Sequence, residues 1–144
     1  MPILTTLLRK KIFKFQKFDK RFNIIGDFDF FTKISLKEKI ISTNNPLAYY
    51  RIHQSNLTSK RLDLNIKELE IWIKENIDKK RFKKFSFKKL KMFVNTLKIK
   101  KLFLDGENIK ALISIMRGPY YFKKFKFLLF LFVPKIITKK ILSK

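Results

Sequence analysis

Two groups of residues carry side chains that could do chemistry, and the first is Asp27-Phe28-Asp29. It follows an apolar segment and Gly26, so both carboxylates fall in the first turn of a predicted helix. Three interpretations are open. In the first, Asp27 is the N-cap of the helix. In the second, the two carboxylates bind a divalent metal ion. In the third, one carboxylate faces a cleft and acts as a general base. The spacing alone does not choose among them.

The second group consists of Arg51 and His53, which lie two residues apart in a predicted strand. Alternate residues of a strand point to the same face of a sheet. Arginine binds phosphate through its forked guanidinium group, and histidine serves as a metal ligand or proton carrier. The structural alternative is an edge strand with a solvated Arg51 and a packing His53. The order of the two groups, separated by a helix, a strand and an Asn-Pro turn, favours the chemical interpretation.

The composition excludes several kinds of site. The 144 residues include no cysteine and one histidine. A disulfide framework, a thiol nucleophile, a cysteine-based zinc site and a multi-histidine metal site are therefore excluded. The apolar run at residues 127–133 is far shorter than the ~20 residues that a spanning helix needs. Neither a secretory signal nor a membrane-spanning segment is predicted.

The positive charge is large and unevenly distributed. The formal net charge is +24, and residues 79–104 carry 11 basic and no acidic side chains. More than two thirds of the net charge lies after residue 78. Such a charge is typical of proteins that bind nucleic acid or an anionic membrane. Frequent Lys, Phe, Ile and Asn also fit an AT-rich coding sequence without any such partner.

The elements that must position the two groups can be read from the hydrophobic pattern. The pattern predicts a helix that begins at Asp27 and two strands, at residues 39–43 and 47–53, joined by a turn. The strongest helix covers 61–76, with Thr58 or Ser59 as its N-cap. Two further helices are predicted at the end of this series, a cationic amphipathic helix at 82–101 and a helix at 109–116.

These segments resemble the acceptor-side part of family 2 glycosyltransferases. Members of that family have a stretch "Phe-Asp-Glu-x-Phe … Glu-Asp-x-Asp-Leu-x-x-Arg" followed by "Tyr-Arg-x-His-x-x-Asn-x-Ser". The run from Phe18 to Ile34 and the run from Pro46 to Thr58 are similar to these two stretches, in the same order. Gly26 stands where the family has Glu, and Lys33 stands where Arg is common. The resemblance covers roughly residues 2–77.

The resemblance implies a fold and a mechanism. The fold class expected from it is α/β, an incomplete segment of the glycosyltransferase-A type followed by a basic α-helical tail. Asp27 would be the catalytic base that deprotonates an acceptor sugar hydroxyl, which attacks a nucleotide-sugar in one inverting displacement. Asp29 would orient the acceptor. Arg51 and His53 would lie near the donor diphosphate or its Mg or Mn ion, with His53 as a candidate metal ligand.

The nucleotide-binding half of such an enzyme is not found before Phe18, so residues 1–78 are expected to be the C-terminal part of a catalytic domain. The chain alone is expected to be inactive, because it would be a truncated gene product, a fragment of a split reading frame or a part that needs a partner. Its substrates would be a nucleotide-sugar and a saccharide or lipid-linked acceptor, as in polysaccharide biosynthesis. Residues 79–144 are expected to form the basic amphipathic tail.

The Phe- and Lys-rich tail has two alternative roles. In the first, the tail is expected to lie on an anionic membrane with its lysines at the headgroups. In the second, it is expected to pack its phenylalanines on the catalytic domain. A cytoplasmic location, peripheral on the cytoplasmic face of the membrane, is expected. The alternative functions are a non-catalytic peripheral membrane-binding protein and, less favoured, a nucleic-acid-binding protein.

Overall fold

The computed structural model describes residues 5–43, 45–49, 61–83 and 85–117. Within these ranges the regular structure is helical. The α-helices are α1 (Gly26–Ser35), α2 (Leu62–Asn76), α3 (Phe87–Asp105) and α4 (Asn108–Arg117), and short 3-10 helices cover Lys10–Lys14 and Lys80–Phe82. None of the helices in these ranges is both long enough and apolar enough to cross a membrane.

The predicted α/β fold class is wrong for the part of the chain that the structure describes, because this part contains helices and no strand. Residues 39–43 were predicted as a strand, but they form no regular structure, and Ile40 and Ile41 are both exposed. Residues 47–49 of the second predicted strand are likewise irregular and exposed, and 50–53 lie outside the described residues. Branched and aromatic residues favour a strand only when a neighbouring strand supplies the pairing.

The helix predictions agree more closely with the structure than the strand predictions do. The predictions for 61–76 and 109–116 are confirmed by α2 and α4. The cationic helix starts later than predicted, at Phe87, because Lys80–Phe82 forms a separate 3-10 helix and residues 85 and 86 are irregular. The predicted N-cap of α2, Thr58 or Ser59, lies outside the described residues.

The described residues divide into two compact units. The first comprises the described residues before 50 together with Lys67–Phe85, and the second comprises 61–66 and 86–117. The domain boundary predicted at residue 78 lies inside the stretch Lys67–Phe85 of the first unit.

The first unit has a core rich in phenylalanine. Phe30 is fully buried and packs with Ile12, Phe31 and Ile34, the last two on its own helix. The Phe18 ring stacks on the Phe30 ring, with 4.1 Å between the centroids. Aromatic pairs of this kind stabilise by about 0.5–1.5 kcal/mol beyond the area that they bury. This packing holds the apolar face of α1 in place. Hydrogen bonds of Asp29 complete the attachment of the helix.

The second unit contains the hairpin of α3 and α4. Its core consists of Ile99 and Phe103 from α3 with Ala111 and Ile115 from α4. Gly106 ends α3 in the left-handed conformation with φ 82°, and the Glu107 N–H then donates to the Leu102 carbonyl at 2.8 Å. This is a Schellman arrangement, in which glycine is favoured because other residues strain there.

The two helix-terminal glycines should respond to alanine in opposite directions. Gly106→Ala places a side chain at positive φ and should lower the free energy of unfolding by about 1 kcal/mol. A Cβ added at Gly26, in the first turn of α1, meets no atom within 4 Å. Gly26→Ala should therefore raise stability by about 0.5 kcal/mol, because it restricts the unfolded chain. Urea denaturation followed by circular dichroism measures both, and shifts of the same sign would contradict this assignment.

Candidate functional site

The N-terminus of α1 presents Asp27. The helix begins at Gly26 with Ile25 in the N-cap position, and the Ile25 side chain makes no capping hydrogen bond. Asp27 therefore lies inside the first turn, and the N-cap position predicted for it is occupied by Ile25. One Asp27 oxygen accepts the Phe28 backbone N–H at 2.7 Å, and the side chain is partly exposed. The residue thus offers a carboxylate that solvent can reach in the first turn of a helix.

Asp29 lies on the opposite side of α1 from Asp27, as residues two apart on a helix do. It is fully buried. Its Oδ1 accepts the indole N–H of Trp72 at 2.8 Å, and its Oδ2 accepts from the Lys33 ammonium group at 2.8 Å. Both oxygens are used inside the protein. Any support that Asp29 gives to an acceptor must therefore act through the position of α1.

Lys33 occupies the position where the resemblance expects an arginine, one helical turn after Asp29. Its side chain is mostly buried, and the ion pair is local to α1. A buried carboxylate needs a cationic or hydrogen-bonding partner, because the cost of removing the charge from water is otherwise large. Lys33 and Trp72 meet this need together.

The indole of Trp72 is surrounded by other rings. Phe28, Phe82 and Phe85 lie 5.0, 5.4 and 5.5 Å from it between ring centroids. Trp72 is itself fully buried. These rings exclude water from the Asp29–Trp72 hydrogen bond, and a hydrogen bond in such surroundings is electrostatically stronger than in water.

Glu68 fixes the segment that leads into α1. It is buried, and its carboxylate accepts three successive backbone N–H groups, those of Asn23, Ile24 and Ile25, at 2.9, 2.9 and 3.1 Å. Glu68 and Trp72 are four residues apart, so they lie on one face of α2. One face of α2 therefore holds both the entry to α1 and its first turn.

Sequence reasoning missed Glu68 and Trp72, although α2 contains a signal. Four buried polar or partly polar side chains follow one another at helical spacing, beside the apolar face of the helix: Asn65, Glu68, Trp72 and Asn76. Charged or amide side chains are rarely buried unless they are paired. The signal in the sequence is the position of these residues beside the apolar stripe, because polar residues at helical spacing away from that stripe are ordinarily exposed. Across the described residues, no buried side-chain nitrogen or oxygen lacks a hydrogen-bond partner.

Arg21 connects the segment before α1 to the end of α2. Its guanidinium group donates to Asp19 and to Glu75, each at a shortest distance of 2.7 Å. Hydrogen bonds from Arg21 hold the pKa of Asp19 at about 2, below its usual 3.8. They also lower the pKa of Glu75, and the hydrogen bond to Asp19 raises the pKa of Arg21.

The Arg21 contacts should make stability depend on pH in the acid range. The folded-state pKa of Asp19 lies below its unfolded value, so its contribution is complete above pH 3.8 and is lost as pH falls toward about 2. Arg21→Gln should flatten this part of the stability curve. The change should be small because the Arg21 side chain is 60 % exposed. Urea denaturation between pH 2 and 5 measures it, with Lys20→Gln as the control, and identical slopes for Arg21→Gln and the unmodified protein would contradict it.

The remaining predicted site residues, Arg51 and His53, lie outside the described residues. In the ranges that are described, no three His, Cys, Asp or Glu side chains come close enough together to hold a metal ion. Asp27 and Asp29 do not converge, and Asp29 is already paired with Lys33 and Trp72. Asp27 and Asp29 therefore do not form the metal-binding pair of the second interpretation. The Mg or Mn ion that the resemblance implies is expected near Arg51 and His53, outside the described residues, and stays a prediction.

The arrangement can do one kind of chemistry. A partly exposed carboxylate, Asp27, stands at the start of a helix whose position is fixed by buried partners on α2. Such a group can accept a proton from a bound hydroxyl. Comparisons of the chain with protein-family models, with characterised proteins and with solved structures give no match.

Proposed function

We propose that this chain supplies the acceptor-activating part of a glycosyltransferase similar to family 2, with Asp27 as the general base. The observation that carries the proposal is the contrast between the two carboxylates of Asp27-Phe28-Asp29. Asp29 is buried and paired, whereas Asp27 is partly exposed. The resemblance in sequence assigns the base to the same residue.

The proposed reaction is a single displacement. Asp27 takes the proton of an acceptor hydroxyl while the hydroxyl oxygen bonds to the anomeric carbon of the donor. The bond from that carbon to the nucleotide diphosphate breaks, and the configuration at the carbon inverts. A sugar hydroxyl is a weak nucleophile, and a positioned base typically contributes ~10²–10⁴-fold to the rate.

The chain's own residues position the base in this proposal. Phe28 donates its backbone N–H to one Asp27 oxygen, and no other described residue binds the second oxygen. Glu68 and Trp72 hold the first turn of α1 on α2. Arg51 and His53 are proposed to lie near the donor diphosphate, and a Mg or Mn ion would neutralise its charge as the bond breaks.

The proposal extends to location and partners. The donor is a nucleotide-sugar, and the acceptor is a saccharide or a lipid-linked saccharide. The proposed location is the cytoplasm, at the cytoplasmic face of the membrane, where a lipid-linked acceptor would be met.

The test replaces Asp27 by asparagine in the native cells, so that any partner segment is present. Asparagine keeps an oxygen for the Phe28 N–H but cannot take a proton at neutral pH. Extracts are supplied with a panel of labelled nucleotide-sugars, and transfer to saccharide and lipid fractions is measured. We expect Asp27→Asn to reduce one transfer activity by about 10²-fold or more.

The matched control is Asp78→Asn, which removes the same charge from an exposed position of the first unit. It should leave transfer unchanged, and immunoblots establish that both variants accumulate to the same level. A normal set of transfer activities in the Asp27→Asn cells would refute the proposal.

A further inference from the structure

Helix α4 has an apolar stripe on its outer side as well as a buried face. Ala111 and Ile115 are buried against α3, whereas Ile109, Ile113 and Met116 are exposed. The exposed fractions of Ile109 and Met116 are 77 % and 74 %. Residues at this spacing lie along one side of a helix. A surface helix ordinarily presents polar side chains on that side, so the stripe needs a partner.

A cleft with cationic walls lies beside the stripe, between α3 and α4. Its volume is about 430 Å³, and it is lined by Asn95, Leu102, Lys110, Ile113, Ser114 and Arg117. Ile113 belongs to both the stripe and the cleft. Two cations with an amide and a hydroxyl offer the donors that bind a phosphate group, and the leucine and isoleucine offer apolar contact. Lys110 pairs with Glu107 at 2.8 Å, an exposed pair that a competing anion can displace at small cost.

The charge around the stripe indicates the class of partner. Residues 86–117 carry eight basic and two acidic side chains. A second copy of the chain, which also carries +24, would repel this surface. A nucleic acid would satisfy the cations but would leave the isoleucines and the methionine unused. An anionic bilayer satisfies both, because apolar side chains enter the acyl boundary while cations remain at the phosphates.

We propose that the α3–α4 hairpin docks on an anionic lipid bilayer, with Ile109, Ile113 and Met116 inserted and with Lys110 and Arg117 binding a lipid phosphate. The docking does not depend on the transfer activity proposed above. It assigns membrane contact to a defined face of the second unit.

The experiment measures co-sedimentation of the full chain with vesicles of phosphatidylcholine and phosphatidylglycerol (3:1) and of phosphatidylcholine alone. The protein should bind the anionic vesicles and only weakly the neutral ones. Ile109→Ser/Met116→Ser should lower the partition coefficient about tenfold or more, because two apolar side chains no longer leave water. The matched control, Ile41→Ser/Leu47→Ser, alters residues that are 83 % and 73 % exposed in the first unit and should change binding less than twofold.

The charge contribution is tested in the same assay. Lys110→Gln/Arg117→Gln should weaken binding about tenfold at 0.1 M salt, and more at lower salt. The control Lys20→Gln/Lys74→Gln removes two exposed cations from the first unit and should have a smaller effect. Equal effects of the two pairs would overturn the proposal, since binding would then follow net charge alone.

A second measurement reports the insertion of the apolar stripe directly, and not through a loss of vesicle binding. The chain has no cysteine, so Ile109→Cys and Leu47→Cys can each carry a single environment-sensitive fluorophore. The label at position 109 should shift to the blue on anionic vesicles, and the label at position 47 should not. The proposal is overturned by equal responses of the two labels, by failure of the protein to bind anionic vesicles, or by tight duplex DNA binding together with vesicle binding that Ile109→Ser/Met116→Ser leaves unchanged.

Discussion

Asp29→Leu is expected to lower the free energy of unfolding by about 3–5 kcal/mol. Leucine has a similar size but accepts no hydrogen bond, so the Lys33 ammonium group and the Trp72 indole N–H both lose their partner inside the protein. Removing one member of a buried pair is more costly than removing the whole pair. Urea denaturation followed by circular dichroism gives the difference directly.

A second variant separates the loss of pairing from a general disturbance of the core. In Asp29→Leu/Lys33→Met the partly buried ammonium group is gone together with its carboxylate partner, so the double variant should be more stable than Asp29→Leu alone. Asp27→Asn, two residues away and partly exposed, is the matched control and should cost less than about 1 kcal/mol. If the double variant were less stable than the single one, the ion pair would not be the source of the effect.

Glu68→Leu is the second change with a large expected effect, about 3–5 kcal/mol. Three backbone N–H groups lose their acceptor, and each unsatisfied buried donor costs about 1–3 kcal/mol. The Ile25 N–H is buried, whereas those of Asn23 and Ile24 are partly buried and regain water, so the total lies below the sum of three full penalties. Glu68→Gln should cost less, because it keeps one oxygen.

Amide hydrogen exchange gives a local readout of the same contact. The amides of residues 23–25 should exchange faster in Glu68→Gln, because their acceptor is weakened, whereas amides in the middle of α2 should change little. Asp63→Asn serves as the control, because Asp63 is an exposed acidic residue in the first turn of the same helix. Unchanged exchange at 23–25 in Glu68→Gln would show that Glu68 does not fix the entry to α1.

The helices could be predicted from the sequence because their signals are local. Helix α2 has apolar residues at three- and four-residue spacing, and the end of α3 is marked by Gly106. Local signals did not reveal that the strand predicted at 39–43 is absent. Its branched residues fit a sheet, but a strand exists only with a neighbour, and no local pattern supplies one.

The candidate site was predictable only in part for a similar reason. Asp27 and Asp29 stand out as two carboxylates after a glycine, yet nothing in their spacing tells which one is buried. That is decided by Trp72, which is 43 residues away in the chain from Asp29. The role of Glu68 depends in the same way on backbone groups more than 40 residues distant.

The buried polar residues of α2 have a consequence for how this helix is aligned. Apolar side chains on a helix tolerate a shift by one turn, about 5.4 Å, because one isoleucine or leucine can take the place of another. Glu68 and Trp72 do not tolerate it, since each binds particular atoms of residues 23–25 and of Asp29. A shifted helix would leave a buried carboxylate and an indole N–H without partners at once. The register of α2 against the start of α1 is therefore unique.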